Sequence, residues 1–383
     1  MKFSVQKSTL MNVLTPAMGT VSNKNTITSI EGVLIETLDD GRVRISTYDM
    51  NKGVRATFEP TSIEEEGRYI INAQRLYQTV RVLPEDELTI EVNEKLNCTV
   101  SAGKASFSMF ATKGEDFPNL PELISDKGFE ISSSALRNVI GKISHSVAVQ
   151  DNRVMLTGAF FKVKDENIEV VSCDNYTLSI CKVKCEINKI NGEGEDYSFI
   201  IPGHALSEIV KILPQDDEYK CLFYLSRKHA IIKCDDVVFF TRTIDSEYID
   251  YNRIIPKEND IKVIVERERL LSGLERANII AEEKIQGSGK SYVKIKIEDK
   301  YLTLTSSSVN GKVCDEMDCT HEGDDIEIGF NCRYLINSIR VAEGEDIIIS
   351  FKSPTQAITI EPKTPAEDFN YLYMVLPVKM NEK

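Results

Sequence analysis

The sequence predicts an α+β protein of three tandem domains, each an internally duplicated strand–helix–strands unit. Three observations predict it. The chain has 383 residues, too many for one ordinary domain. A faint motif returns at intervals of 60 to 70 residues. Within each interval the hydrophobic period switches between that of a helix and that of a strand.

Each domain opens on a short alternating strand running into a helix. Phe3–Leu10, Phe129–Leu136 and Val263–Leu270 are three copies of that opening. Second-half markers recur as well: Arg81-Val-Leu-Pro-Glu-Asp-Glu87, Lys211-Ile-Leu-Pro-Gln-Asp-Asp-Glu218 and Arg340-Val-Ala-Glu-Gly-Glu-Asp346. Apolar residues at i, i+3, i+4 and i+7 line one face of a helix. Leu10, Val13, Leu14 and Ala17 place the first helix over 8–17. Leu76, Thr79, Val80 and Leu83 place the second over 73–82. Leu136, Val139, Ile140 and Ile143 mark 133–144; Leu206, Ile209, Val210 and Leu213 mark 203–212. Leu270, Gly273, Leu274 and Ala277 mark 267–277, and Leu335, Ser338, Ile339 and Ala342 mark 331–340. The small residues in these last two stripes permit close packing.

Between the helices Arg42–Ile45, Leu88–Val92, Asn167–Val170 and Val293–Ile297 alternate as half-buried antiparallel strands do. Asp39-Asp40-Gly41, Gly192-Glu193-Gly194 and Asn310-Gly311 mark turns. A unit of ~65 residues is near the lower limit for burying its own core. The units therefore pair into domains spanning 1–127, 128–257 and 258–383. Their joints follow Pro-containing extended segments, Asp116–Glu122 and Tyr248–Pro256.

The formal net charge is −14, which taken alone argues against nucleic acid. Its distribution argues otherwise. The six predicted helices carry ten basic and three acidic side chains, leaving +7 on helices and −21 elsewhere. Arg81, Lys211 and Arg340 each follow the first apolar residue of their helix by five positions. That is about 140° of rotation, opposite the apolar stripe. Arg75, Arg137, Lys142, Arg276 and Arg333 lie on the same helices, whereas the helix over 8–17 is uncharged.

Other chemistry is not written in the chain. Nine Cys and four His are scattered without ligand spacing, so no metal is expected and the thiols read as reduced and cytosolic. No segment approaches the ~18 apolar residues of a membrane span. The opening Met1–Lys7 lacks the apolar stretch of a signal peptide, so the chain is expected in the cytoplasm. Gly287-Ser-Gly-Lys-Ser291 resembles the tail of a phosphate loop, but it lacks the upstream Gly and precedes a strand, so it reads as a hairpin turn. Asp235-Asp236 and Asp324-Asp325 read as solvated turn carboxylates. There is no nucleophile elbow and no dinucleotide fingerprint. No catalytic residue and no cofactor is expected.

The repeat, the domain size and several landmarks together resemble the bacterial sliding-clamp family, the beta subunits of DNA polymerase III. The landmarks are Met1–Val5, Asp116–Leu120, Gln150-Asp-Asn-Arg153 followed by Leu156-Thr-Gly158, Tyr248–Pro256 and Tyr373–Lys379. The resemblance spans the whole chain. It implies three tandem DNA-clamp domains closing into a ring as a head-to-tail dimer, with basic helices lining the hole. Such a ring tethers the replicative polymerase for processive synthesis without catalysing it. Implied partners are double-stranded DNA read without sequence preference, a second copy of the chain, the polymerase catalytic subunit, the clamp loader and repair proteins. No membrane is implied.

By resemblance Lys24, Gln150 and Arg153 join the helix cations in contacting DNA. The family's aromatic pair at that loop is replaced by Val154-Met155. The dimer contact would set Arg75, Phe107 and Met109 against Ile279 and Ile280, the alternative being that the apolar four are core residues. A cleft for short, partly apolar partner peptides would use Leu156, Cys173, Asn175, Tyr176, Thr177 and Leu178. Ile249, Arg253 and Ile254 would form a second wall, and Met374, Val375, Leu376, Pro377, Val378 and Lys379 a third. The Gly-His-Arg-Leu stretch common in the family reads Asn175-Tyr176-Thr177-Leu178, a change that shifts peptide preference. The rival reading is an arc-shaped protein scaffold that never encloses DNA.

Overall fold

The computed structural model describes residues 1–22, 28–84, 87–123, 125, 127–184, 186–190, 196–226, 228–281, 292–308 and 311–380. By contact the chain parts into two compact units. One holds Met1–Ser134, Ile187–Glu193 and His204–Thr243; the other holds Ala135–Glu186, Gly194–Gly203 and Ile244–Lys383. The middle third of the chain contributes to both.

Among the described residues there are six α-helices: α1 (Lys7–Ala17), α2 (Ala73–Val82), α3 (Ser133–Ile143), α4 (Gly203–Ile212), α5 (Arg267–Ala281) and α6 (Cys332–Val341). All six lie where the apolar periodicity places them. The predicted stripes of α1, α3 and α6 are buried throughout. In α4 the buried face runs through Ala205, Leu206, Ile209 and Ile212, with Val210 only half-buried. Asn72 and Asn331 cap α2 and α6, their side chains accepting from the backbone N–H of Arg75 and Arg333. Gly273 matters because of what α5 lies on. A Cβ there would come within 2.9 Å of Leu304 and 3.0 Å of Met317.

Two expectations need correction. The first helix begins at Lys7, so it is not uncharged. Lys7 Nζ reaches the carbonyl oxygens of Arg81 and Leu83, so this cation sits at the negative end of α2. The fifth helix runs on to Ala281 rather than ending at 277, which puts Ile279 and Ile280 on the helix.

Among the described residues every strand pair is antiparallel. The first unit holds a fourteen-stranded sheet, from Asn188–Ile190 at one edge to Ser62–Glu65 at the other. Its middle joins Val237–Arg242 to Lys52–Phe58, in register Val237↔Ala56. The second unit holds a nine-stranded sheet and a four-stranded one. In the larger, Thr177–Lys184 pairs with Phe369–Val375 in register Thr177↔Val375. The predicted strands near 43, 88, 167 and 293 are all present; Glu87–Val92 and Val293–Glu298 alternate in burial throughout, whereas Val43–Tyr48 and Asn167–Cys173 become continuously buried towards their ends. At the Asp39–Gly41 turn Gly41 adopts φ +81°, a region that favours glycine. The expected turns at 192–194 and 310–311, and the segment 287–291, lie wholly or partly outside the described residues.

Candidate functional site

The exposed cations of the helices form the first candidate surface. Arg75 and Arg81 project to solvent from α2, and no carboxylate among the described residues pairs with either. Arg333 is likewise exposed on α6, while Arg137 is half-buried on α3. Lys211, Arg340, Arg276 and Arg269 are partly neutralised by carboxylates. Lys211 meets Glu208 at 3.0 Å, and Arg340 meets Glu275 at 2.9 Å. Arg276 and Arg269 both grip Asp315, whose carboxyl is held below its ordinary range chiefly by Arg269.

Lys142 departs from expectation. Its side chain is 11% exposed, and its ammonium donates to the carbonyl of Val341 and pairs with Glu343, both at 2.6 Å. It also lies 5.6 Å above the ring of Phe369. Lys142 therefore closes the C-terminal end of α6 and is not available to phosphate. It lies six residues after Leu136, one place beyond the spacing of Arg81, Lys211 and Arg340, and its partners come from a distant part of the chain.

Arg153 is also held. Its guanidinium binds Asp151 and Asn175, and that grip keeps the Asp151 carboxyl well below the usual carboxylate range. Gln150 and Val149 beside it are exposed. Lys24 lies outside the described residues.

The second candidate is an apolar cleft in the second unit. Leu156, Cys173, Leu178 and Met374 cluster with Tyr251, and Ile249 packs on them. The geometry divides the predicted lining in two. Leu156, Leu178 and Val375 are fully buried and Thr177 is 2% exposed, so these form the buried floor. Thr177 is fixed by Asp174, whose Oδ1 accepts from its backbone N–H and its hydroxyl. Above this floor, Tyr176, Ile254 and Leu376 stand 46%, 44% and 38% exposed, a large apolar rim facing solvent. Leu376 N–H donates to the Tyr176 carbonyl at 2.9 Å, tying the C-terminal segment to the loop. Val378 N–H donates to Gly329. Pro377 is half-buried and Lys379 exposed. Arg253 extends into solvent beside Asp250.

Sequence reasoning missed Tyr334, which stacks on Tyr176 with centroids 5.2 Å apart, and Val154, an exposed apolar residue two positions before Leu156. Nothing local marks Tyr334, because its partner lies over a hundred and fifty residues away. Val154 was read only as the loss of an aromatic ring.

Two strand edges form a third candidate. Residues 105–110 of Ala105–Lys113 pair on one side only, with Asn97–Ala102. Phe107 and Phe110 are exposed there and Met109 is half-buried. Lys312–Asp318 is the edge of the four-stranded sheet and carries the exposed Cys314. Ile279 is 71% exposed and Ile280 half-buried near Gly311.

No His, Cys, Asp or Glu grouping suited to a metal occurs among the described residues. No helix there is long and apolar enough to cross a membrane.

Three family models match consecutive parts of the chain. They are the N-terminal, central and C-terminal domains of the DNA polymerase III beta subunit, on residues 1–121, 130–250 and 252–379. The chain is 27% identical to a beta sliding clamp of Bacillus subtilis (strain 168) over 391 residues, covering 99% of this chain and 100% of that one. It is 25% identical to a beta sliding clamp of Haemophilus influenzae over 382 residues, with the same coverage. Among solved structures, the DNA polymerase sliding clamp of Bacillus subtilis superposes with a TM-score of 0.91 at 26% identity, covering 100% of both chains. The DNA polymerase III beta subunit of Thermotoga maritima gives 0.89 at 26% identity over 99% and 100%.

Proposed function

The chain belongs to the DNA polymerase III beta subunit family and functions as a sliding clamp in DNA replication, and from that premise we propose how its surfaces divide the work. Two copies close head to tail into a ring around duplex DNA. Each copy contributes three clamp domains, 1–127, 128–257 and 258–383. The ring tethers the polymerase catalytic subunit in the cytoplasm and performs no chemistry itself. The observation that carries this reading is the consecutive match of all three family domains along one chain.

Closure uses the two strand edges. Antiparallel pairing of residues 105–110 with the partner's edge strand would satisfy backbone groups now facing solvent. Phe107, Phe110, Met109, Ile279 and Ile280 would be covered. Two such contacts leave no open end, so association stops at the dimer. DNA is held topologically, so contacts from Arg75, Arg81, Arg333 and their neighbours need only be weak and independent of sequence. The clamp loader, the polymerase and repair proteins dock short apolar peptides on the rim of Tyr176, Ile254 and Leu376.

The test is retention. Loaded protein should stay on a nicked circle through a gel-filtration column and leave once the circle is cut. Persistence on the cut DNA with free ends would favour a protein-binding scaffold that touches DNA without enclosing it.

A further inference from the structure

Beyond the apolar rim, the same sheet face carries a pocket of about 160 Å³, largely apolar but with charged and amide side chains in its wall. Ile180, Tyr251, Ile255 and Leu372 belong both to the apolar cluster and to the pocket wall, so the two are continuous. Along Thr177–Lys184 and Phe369–Val375 the side chains on this face run Leu178, Ile180, Lys182 and Met374, Leu372, Asn370. Glu361 lies level with Leu372 on the neighbouring strand, and from the rim residue Leu376 to Leu372 is four residues, about 13 Å at ~3.3 Å per residue.

The pocket's charges are unequally satisfied. Glu169 accepts from the Tyr251 hydroxyl and pairs with Lys182 at 2.8 Å. Glu361, on the strand Ile358–Pro362, also lines the pocket but makes no hydrogen bond or ion pair with any described residue. Its carboxyl is half-buried, and burial pushes its pKa above the ordinary carboxylate range, with Lys262 opposing that shift. A half-buried carboxylate with no hydrogen bond or close ion pair is a costly group that an incoming cation relieves.

We propose that this pocket is a second subsite of the peptide cleft, where Glu361 receives the ammonium or guanidinium of a basic side chain about four residues from the peptide's apolar anchor. The proposal rests on the cleft reading above. Asn252 and Asn370 supply neutral polar walls, and Ile180 and Leu372 an apolar floor for the methylene stem of such a side chain. The subsite would favour partners with a basic flank over those with an apolar motif alone.

Three fluorescent ten-residue peptides test it, each with two leucines and an aromatic residue as anchor. One has neutral polar flanks; the others carry one lysine four residues before or after the anchor. One lysine peptide should bind the full chain about three- to tenfold tighter than the neutral one, as expected of one partly buried charge pair. That gain should vanish in Glu361→Gln, with the affinity of the neutral peptide unchanged. Equal binding of all three peptides, or a gain that survives Glu361→Gln, overturns the subsite and leaves the cleft standing. Failure of every peptide to bind overturns the cleft reading, and the subsite with it.

Discussion

His145 is packed where α3 ends, with its Nε2 at 3.2 Å from the Ser179 hydroxyl and 3.3 Å from that of Ser338. Its ring meets Tyr373 edge-on at 5.3 Å. Burial lowers its pKa from 6.5 to about 4. The fold therefore holds it neutral, while the unfolded chain takes up a proton below 6.5. Stability should fall as pH drops from 6.5 towards 4, by about 2 kcal/mol at pH 5. Urea midpoints at pH 7 and 5 read this directly, and His145→Asn should flatten that part of the difference. Lys142 offers a second check at this scale. Lys142→Met should lower stability by about 1–3 kcal/mol, by stripping the Val341 carbonyl and Glu343 of their donor, without altering retention on circular DNA. Arg81→Ala should do the reverse, weakening retention at raised salt and leaving the unfolding free energy from urea titration within about 0.5 kcal/mol. A loss of DNA retention in Lys142→Met would return Lys142 to the phosphate-facing set.

At the scale of elements, the six helices were legible because a 3.6-residue period is local and survives without any neighbour. The edge strands were not. Alternation announces a strand, but which side of it lacks a partner depends on pairings tens of residues away. Ala105–Lys113 illustrates this, since its first six residues are bare on one side and its last three are not. The cleft was half legible for the same reason. Leu178 and Tyr176 are two residues apart, yet one is floor and the other rim. The edges yield a prediction. Phe107→Asp should reduce the solution mass to that of one chain at micromolar concentration, measured by light scattering. In the unaltered protein the Cys314 thiol should be alkylated more slowly as concentration rises, because dimer closure covers its strand. A rate independent of concentration would remove that strand from the contact. The cleft also has a defined place to cut. Met374 and Val375 are buried and paired to Leu178 and Thr177, so a deletion should begin at Leu376. Removing 376–383 should abolish binding of anchor peptides while the dimer persists.

For the whole molecule, the charge of −14 is better described by where it is satisfied than by its sum. With Lys7 counted, the observed helices carry eleven basic and three acidic side chains. Lys7 and Lys142 close the ends of other helices, and Asp315, Glu208 and Glu275 temper four more cations. The cationic surface is thus weaker than the sequence total implies. A clamp that must slide is served by that weakness, because strong phosphate contacts would brake it.

The pairing of Thr177–Lys184 with Phe369–Val375 has a consequence for how the chain is made. A ribosome delivers residue 177 nearly two hundred residues before its partner at 375. Throughout that interval the earlier strand has one side bare, and Leu178 and Ile180 lack the cover that Met374 and Leu372 later give. The nascent chain is therefore most vulnerable to misplaced pairing late in synthesis, when most of its length already exists. Chains halted before residue 369 should accumulate with chaperones or as aggregates, whereas chains reaching 375 should not.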